Sequence, residues 1–160
     1  MAPKKEVTIH TDGACTGNPG PGGYAAILAH GAHRKELSGG FRRTTNNRME
    51  LVAAIVGLRA LKQECRVVLY SDSEYLVKAM TKGWAERWKS KGWRRNRSAK
   101  ALNADLWAQL LELCQDHRVQ FRWVRGHSGN LENERCDKLA VEAAAGADLP
   151  VDEGFERSEK

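Results

Sequence analysis

The sequence lacks paired cysteines. Its four cysteines are spread along 160 residues, and no two of them stand in a Cys-x-x-Cys arrangement. This spacing argues against a structural zinc site and against a disulfide scaffold, so the fold must rest on an apolar core. A reducing compartment, the cytoplasm, is expected for the same reason.

Long apolar runs are also missing. No stretch of about 18 apolar residues could span a bilayer, and no apolar segment of a secretory signal follows the basic start of the chain. Hydrophobic residues make up 41% and charged residues 29% of the chain, as in soluble globular proteins. We expect one folded domain over residues 1–147 and a disordered polar tail over residues 148–160.

Negative charge is scarce in one window of the chain. Residues 81–100 contain eight Lys or Arg and one Glu, a net charge of +7, whereas the whole chain carries +6. Trp84, Trp88 and Trp93 lie within this window and could be core residues beneath a charged surface. Basic side chains that bind phosphates, next to flat rings that stack on sugars or bases, instead favour a nucleic-acid-binding surface.

Hydrophobic periodicity predicts an α/β fold with a five-stranded mixed sheet. Three strands form an antiparallel meander, two more pair in parallel, and helices flank the sheet. The predicted strands are residues 7–11, 24–29, 34–41, 66–70 and 119–124, and the main predicted helices follow residues 44–47 and cover residues 74–80, 103–118 and 132–145. The first and fourth strands should lie side by side in the centre.

Isolated carboxylates occur at the ends of several predicted elements. Asp12 comes where the first predicted strand ends, Asp72 follows the fourth strand, and Glu50 lies in the first turn of a helix. Each has a simpler explanation, because Asp12 could open a turn, Asp72 could cap a helix, and Glu50 could form a capping box with Asn47. Asp137 lies inside the last predicted helix.

Parallel central strands would bring these carboxylates together. The carboxyl ends of the first and fourth strands should place Asp12 beside Asp72, with Glu50 and Asp137 facing the same point. Carboxylates this close repel one another unless a cation neutralises them, and oxygen ligands suit Mg²⁺ or Mn²⁺ rather than zinc. Two such ions could support hydrolysis of a phosphodiester, and His127, on a glycine-flanked loop, could move a proton.

Four stretches closely resemble the bacterial type I ribonuclease H family. They are residues 11–13 with 17–23, residues 45–51, residues 71–73, and residues 126–127 with 132–137. The resemblance extends from about Val7 to Ala145. It implies a ribonuclease H-like fold and endonucleolytic hydrolysis of the RNA strand of RNA–DNA hybrids, leaving 5′-phosphate and 3′-hydroxyl ends. It also implies two Mg²⁺ ions per active site, with Mn²⁺ as a possible substitute, and a monomer with no obligate protein partner.

The resemblance implies roles for single residues as well. Asp12, Glu50, Asp72 and Asp137 match the family's catalytic, metal-binding acids, and His127 matches a histidine that assists proton transfer or product release. Further positions match contacts with the hybrid. These are Cys15, Asn18, Asn46 and Asn47 in the minor groove, Arg43, Thr45 and Asn103 around a DNA-strand phosphate, and Trp84 and Trp88 in a basic protrusion.

Two positions depart from the family pattern. Glu74 stands where we expect a glutamine near the hybrid, so its negative charge should weaken a substrate contact there. The loop at residues 128–131 is variable in the family, and its sequence leaves the kinetics of the His127 step open.

Two other functions are compatible with parts of this pattern. A catalytically silent hybrid-binding module would use the basic window alone, but it would gain nothing from four retained acids. A nuclease that cuts duplex DNA is the other alternative, and the asparagine-rich stretch disfavours it because its contacts with 2′-hydroxyl groups select RNA.

Overall fold

The computed structural model describes residues 5–97, 99–126 and 129–160. In chain order, the elements of this part are β1 (Lys5–Cys15), β2 (Gly20–His30), β3 (His33–Thr44), α1 (Asn46–Arg59), β4 (Cys65–Ser71), α2 (Glu74–Thr81), α3 (Trp84–Ser90), α4 (Ala104–Asp116), β5 (Arg118–Trp123), α5 (Leu131–Ala144) and α6 (Glu153–Ser158). None of the helices in these ranges is both long and apolar enough to cross a membrane.

The five strands form one mixed sheet in the order β3-β2-β1-β4-β5. β2 pairs antiparallel with both β1 and β3, whereas β4 pairs in parallel with both β1 and β5. The predicted fold class is therefore confirmed. β1 is the strand at which the antiparallel half of the sheet meets the parallel half.

Alternating side chains of the strands build a core on each face of the sheet. Ala26 and Leu28 of β2 belong to the larger core, which contains buried residues of α1 and α4 such as Leu58 and Trp107. Ala25 and Ile27 point to the opposite face and pack with Cys136 and Ala140 of α5. Because successive residues of a strand face opposite sides, one sheet buries apolar surface against helices on both.

β1 is longer than the sequence predicts, so Asp12 lies within the strand rather than at its end. Antiparallel pairing with β2 continues as far as Cys15 opposite Gly22. Parallel pairing with β4, however, stops where His10 faces Tyr70. Asp12 therefore lies two residues beyond the point where β1 and β4 separate, at the carboxyl end of the parallel pair.

The last residues of the chain differ from the disordered tail that their composition suggests. Asp152 is 5% exposed and caps α6 by accepting a hydrogen bond from the backbone N–H of Phe155. It also forms an ion pair of 2.8 Å with the buried Arg48, and the backbone N–H of Arg42 donates to the carbonyl of Pro150. These partners lie about 100 residues earlier, so local composition does not reveal them.

Candidate active site

Three carboxylates converge at the carboxyl end of the β1–β4 pair. Asp12 comes from β1, Glu50 from the first turns of α1, and Asp72 from the residue after β4, and one oxygen of each lies within 4.8 Å of the others. Parallel pairing of β1 with β4 brings Asp12 and Asp72 to the same edge, as the sequence predicts. The site therefore combines residues that are distant along the chain.

A glycine allows α1 to approach the strand closely enough to add Glu50. A Cβ atom at position 13 would lie 2.5 Å from the backbone nitrogen of Glu50 and 2.6 Å from the carbonyl carbon of Met49. Side chains do not tolerate such distances, so only glycine permits the start of α1 to lie directly against β1. This contact places the carboxyl of Glu50 beside that of Asp12.

Burial makes the negative charges of this cluster unfavourable. Asp12 is 4% exposed and Glu50 is 3% exposed. The pKa of Asp12 is raised to about 8, chiefly by burial and in part by the charges of Asp72 and Asp137. Hydrogen bonds with the Glu50 carboxyl and from the Gly13 N–H to Oδ1 of Asp12 oppose this rise. Burial and then the charges of Asp12 and Asp72 raise the pKa of Glu50 well above its ordinary value. The fold therefore holds carboxylates that lack a counter-charge.

A divalent cation fits this environment. Oε1 of Glu50 is buried and has no hydrogen-bond partner among the residues that the structure describes. The three clustered ligand atoms are all carboxylate oxygens, the set preferred by Mg²⁺ and Mn²⁺. A bound cation would satisfy the unpartnered oxygen and neutralise the repulsion that raises the pKa of Asp12 and Glu50.

Of the other two predicted catalytic residues, Asp137 is among the residues that the structure describes and His127 is not. Asp137 lies on α5, half-buried and outside the group of three, but its charge acts on Asp12. A hydrogen bond of 3.2 Å from the thiol of Cys136 to the carbonyl of His10 holds this part of α5 against β1. His127 lies outside the described residues.

The helix-capping alternatives for Glu50 and Asp72 do not describe the structure. Thr45, rather than Asn47, caps α1 by accepting a hydrogen bond of 3.2 Å from the backbone N–H of Arg48. Ser73 caps α2 by accepting one of 3.1 Å from the N–H of Leu76. Both carboxylates are therefore left without a capping role.

The residues predicted to contact the minor groove lie on two adjoining segments. Oδ1 of Asn18 accepts a hydrogen bond of 3.1 Å from the backbone N–H of Asn46, which joins the glycine-rich turn to the start of α1. The thiol of Cys15 donates a hydrogen bond of 3.4 Å to the backbone carbonyl of Thr44, just before the start of α1. Asn47 is exposed in the first turn of α1. These residues therefore form one continuous surface.

Asn103 lies at the centre of a polar network beside this surface. It has a positive φ of 62° at the start of α4, and its amide donates to the Tyr75 hydroxyl at 3.2 Å. Its Oδ1 accepts a hydrogen bond from Arg48.

Two other predicted substrate-binding residues form ion pairs within the protein. Arg43, the neighbouring predicted phosphate ligand, pairs with Glu159. Glu74 is exposed and forms an ion pair of 3.1 Å with Lys78.

The tryptophans of the basic window are half-buried and pack against the larger core. The ring of Trp88 meets that of the buried Trp107 edge to face, with centroids 5.8 Å apart. Nζ of Lys82 lies 5.7 Å from the Trp84 ring centroid. The surrounding basic residues are exposed, so the core and surface interpretations each describe part of this segment.

Sequence reasoning missed two residues that support the site. The indole Nε1 of Trp123 donates to the backbone carbonyl of Asp72 at 3.1 Å. Arg48 is 3% exposed, and its guanidinium connects α1 to Asp105 and Asp152. The single available signal was a charged residue between the apolar positions of α1, and such residues are usually solvent-exposed.

Comparisons with known proteins agree with this geometry. The chain matches the RNase H family over residues 4–145. It is 65% identical over 153 residues to "Ribonuclease H" of Syntrophus aciditrophicus, covering 96% of this chain and 88% of that protein. It is 55% identical over 150 residues to "Ribonuclease HI" of Synechocystis, covering 93% of this chain and 94% of that protein.

Solved structures show the same fold. The crystal structure of LC9-RNase H1, described as a type 1 RNase H with the type 2 active-site motif, superposes with a TM-score of 0.82 at 34% sequence identity. The match covers 99% of this chain and 82% of that one. Together with the convergent carboxylates, these similarities show that the chain belongs to the RNase H family.

Proposed function

We propose that this chain hydrolyses the RNA strand of RNA–DNA hybrids endonucleolytically and leaves 5′-phosphate and 3′-hydroxyl ends. The observation that carries the proposal is the convergence of Asp12, Glu50 and Asp72 within 4.8 Å, in a chain of the RNase H family. The proposed cofactor is Mg²⁺, two ions per site with substrate, and Mn²⁺ is a possible substitute.

The acidic side chains would hold the metal ions. Asp12 and Glu50 provide buried oxygens, whereas Asp72 and Asp137 are half-buried and closer to solvent. When bound, such ions lower the pKa of a water and stabilise the leaving oxygen of a phosphodiester. The rest of the chain keeps the oxygen ligands close together, and Gly13 allows the necessary approach of α1. His127 is the proposed proton carrier.

Selection of RNA is assigned to the surface formed by the glycine-rich turn and the start of α1. Cys15, Asn18, Asn46 and Asn47 provide donors and acceptors there, and a 2′-hydroxyl can both donate and accept. The DNA strand would lie along Thr45, Arg43 and Asn103 and then reach the basic window with Trp84 and Trp88. Exposed Lys and Arg side chains supply phosphate contacts without base specificity.

A silent hybrid-binding module is the alternative function. It would share the basic surface, but buried carboxylates near a phosphate would only weaken its binding. The cluster of three acids therefore favours hydrolysis over binding alone. We further propose that the protein acts as a monomer in the cytoplasm.

A cleavage assay tests the proposal. A hybrid with separately labelled RNA and DNA strands is incubated with the protein and Mg²⁺, and a matched reaction contains excess chelator. We expect cleavage of the RNA strand alone, loss of cleavage with chelator, and no cleavage of duplex DNA. The Asp12→Asn variant should bind the hybrid without cutting it. An intact hybrid in the Mg²⁺ reaction would favour the binding module.

A further inference from the structure

Two neighbouring arginines near the end of β3 face one residue of β2. Gly22 pairs with Phe41, but Gly20 pairs with Thr44, so Arg42 and Arg43 together lie opposite Pro21. This arrangement is a β-bulge, which changes the direction of the side chains on the longer strand. The two side chains remain 59% and 47% exposed.

Both guanidinium groups are occupied by carboxylates at the end of the chain. Nε and Nη2 of Arg42 donate to the two carboxylate oxygens of Glu156 at 2.9 and 2.8 Å. Nε and Nη2 of Arg43 donate to Glu159 at 2.9 and 2.8 Å. This paired geometry is also the one in which arginine binds phosphate, so each glutamate stands where a phosphate group would fit.

The segment that carries these glutamates is fixed at one end only. Asp152 is buried between Arg48 and Thr44, with hydrogen bonds of 2.8 and 2.7 Å. Beyond it, α6 has six residues and none of them is buried. A helix this short is marginal by itself, and exposed ion pairs contribute at most about 1 kcal/mol each. α6 can therefore leave the arginines while Asp152 stays in place.

The arginines adjoin the proposed substrate surface. Thr45, which caps α1, follows Arg43 by two residues, and Asn46 begins the helix. A nucleic-acid backbone that reaches Asn46 would pass next to Arg42 and Arg43. Its phosphates would then compete with the two glutamates for the same donors.

The proposed function already places Arg43 beside the DNA strand. We propose that Arg42 joins it as a second ligand for backbone phosphates, and that Glu156 and Glu159 cover both arginines in the free protein. When substrate binds, two of its phosphates replace the two carboxylates on the arginines. α6 therefore competes with the substrate for this site. This inference rests on the proposed function, because it takes the RNA–DNA hybrid as the substrate.

Removal of the two carboxylates tests the exchange. The Glu156→Gln/Glu159→Gln variant should have a KM for the hybrid about two- to tenfold lower than the wild type at low salt, because two weak ion pairs no longer oppose binding. The difference should shrink as salt is added, because salt screens exposed ion pairs. An equal KM at low salt would overturn the proposal.

A matched variant separates local competition from overall charge. Glu112→Gln/Glu142→Gln removes the same two charges from exposed positions on α4 and α5, and we expect its KM to equal that of the wild type. Were this control to lower KM as strongly, net charge rather than α6 would explain the effect. Replacing Arg42 and Arg43 by Gln should raise KM more in the Glu156→Gln/Glu159→Gln background than in the wild type.

Hydrogen exchange provides a readout that does not depend on turnover. In the Asp12→Asn variant, addition of uncleaved hybrid should lower the protection of amides in residues 153–158, and unchanged or increased protection would count against the exchange. This inference alone would be refuted if the wild type cuts the hybrid, the Glu156→Gln/Glu159→Gln variant has the wild-type KM, and the hybrid leaves the protection of residues 153–158 unchanged. Absence of cleavage would remove the proposed function instead.

Discussion

The indole of Trp123 holds the backbone at Asp72. Its Nε1 donates to the carbonyl oxygen of Asp72 at 3.1 Å, although the side chain is 49% exposed. On the other side, a Cβ atom at position 126 would lie 2.8 Å from Oδ2 of Asp72. Asp72 is therefore positioned by a donor from the end of β5 and by the close backbone of Gly126.

Loss of the indole donor should slow cleavage more than it weakens substrate binding. In Trp123→Phe the ring remains and the hydrogen bond of about 1 kcal/mol is lost, so we expect a three- to tenfold lower single-turnover rate. The Kd for uncleaved hybrid should stay the same. If Trp123→Phe keeps the full rate and only Trp123→Leu is slow, the ring rather than its N–H positions Asp72.

The buried carboxylates should lower the stability of the metal-free protein as pH rises. Because the pKa of Asp12 is raised to about 8, folded protein keeps a proton that the unfolded chain loses above about pH 4. The penalty is absent below pH 4 and complete above pH 8. In chelator, Asp12→Asn should exceed the wild type in free energy of unfolding by several kcal/mol at high pH.

Urea unfolding at about pH 5 and about pH 9 measures this difference. The stabilisation by Asp12→Asn should be smaller at the lower pH, and Glu112→Gln, which changes an exposed carboxylate, should show no comparable dependence. Mg²⁺ should raise the unfolding midpoint of the wild type more than that of Asp12→Asn. Equal stabilisation by Asp12→Asn at both pH values would argue against burial as the cause.

Arg48 should be essential for attachment of the C-terminal segment. In Arg48→Met, the buried Asp152 loses its counter-charge, and we expect the free energy of unfolding to fall by about 3–5 kcal/mol. Arg59→Met is the matched control, because Arg59 is exposed on the same helix. It should change stability by about 0.5 kcal/mol or less. Similar losses in both variants would show that the buried ion pair has no special role.

The same network should weaken in acid. Partial burial would raise the pKa of Asp105, but the hydrogen bonds and charge of Arg48, together with backbone hydrogen bonds, outweigh burial and lower it. Its contribution to stability is therefore present above the ordinary carboxyl pKa and is lost as pH falls through the lowered value. Asp105→Asn should destabilise the protein at neutral pH and have less effect near about pH 2.

The basic window should contribute to the salt dependence of hybrid binding. Arg94→Glu/Arg95→Glu should weaken binding and reduce the slope of log K against log salt by about 2, one unit per lost phosphate contact. The control, Arg66→Glu/Arg118→Glu, reverses two paired positions at the opposite end of β4 and β5 from Asp72. An unchanged slope in the first variant would show that the window does not contact the hybrid.

Periodicity in the sequence was sufficient to predict the mixed sheet and the meeting of Asp12 with Asp72. Both follow from local apolar patterns and from the parallel pairing of the first and fourth strands. The exact length of β1 was not predicted, because glycines 13 and 17 suggested a turn, whereas pairing with β2 extends the strand to Cys15. Local composition does not report that pairing.

The supporting contacts of the site could not be predicted in the same way. Arg48 is buried because Asp105 and Asp152 reach it from α4 and from the chain end. Trp123 donates to a backbone carbonyl, and every residue type has such a carbonyl, so the sequence does not identify the acceptor. In both cases the partner is defined by tertiary packing, which a periodic pattern does not encode.

Asp12 and Asp72 are 60 residues apart in the chain, and they meet only because β4 lies alongside β1. During synthesis, Asp12 is therefore present well before Asp72, and the two meet only after β4 has paired with β1. Until the fourth strand has docked, the nascent protein has no assembled centre and should leave RNA in nearby hybrids uncut. Assembly of the carboxylate cluster therefore depends on pairing of β4 with β1.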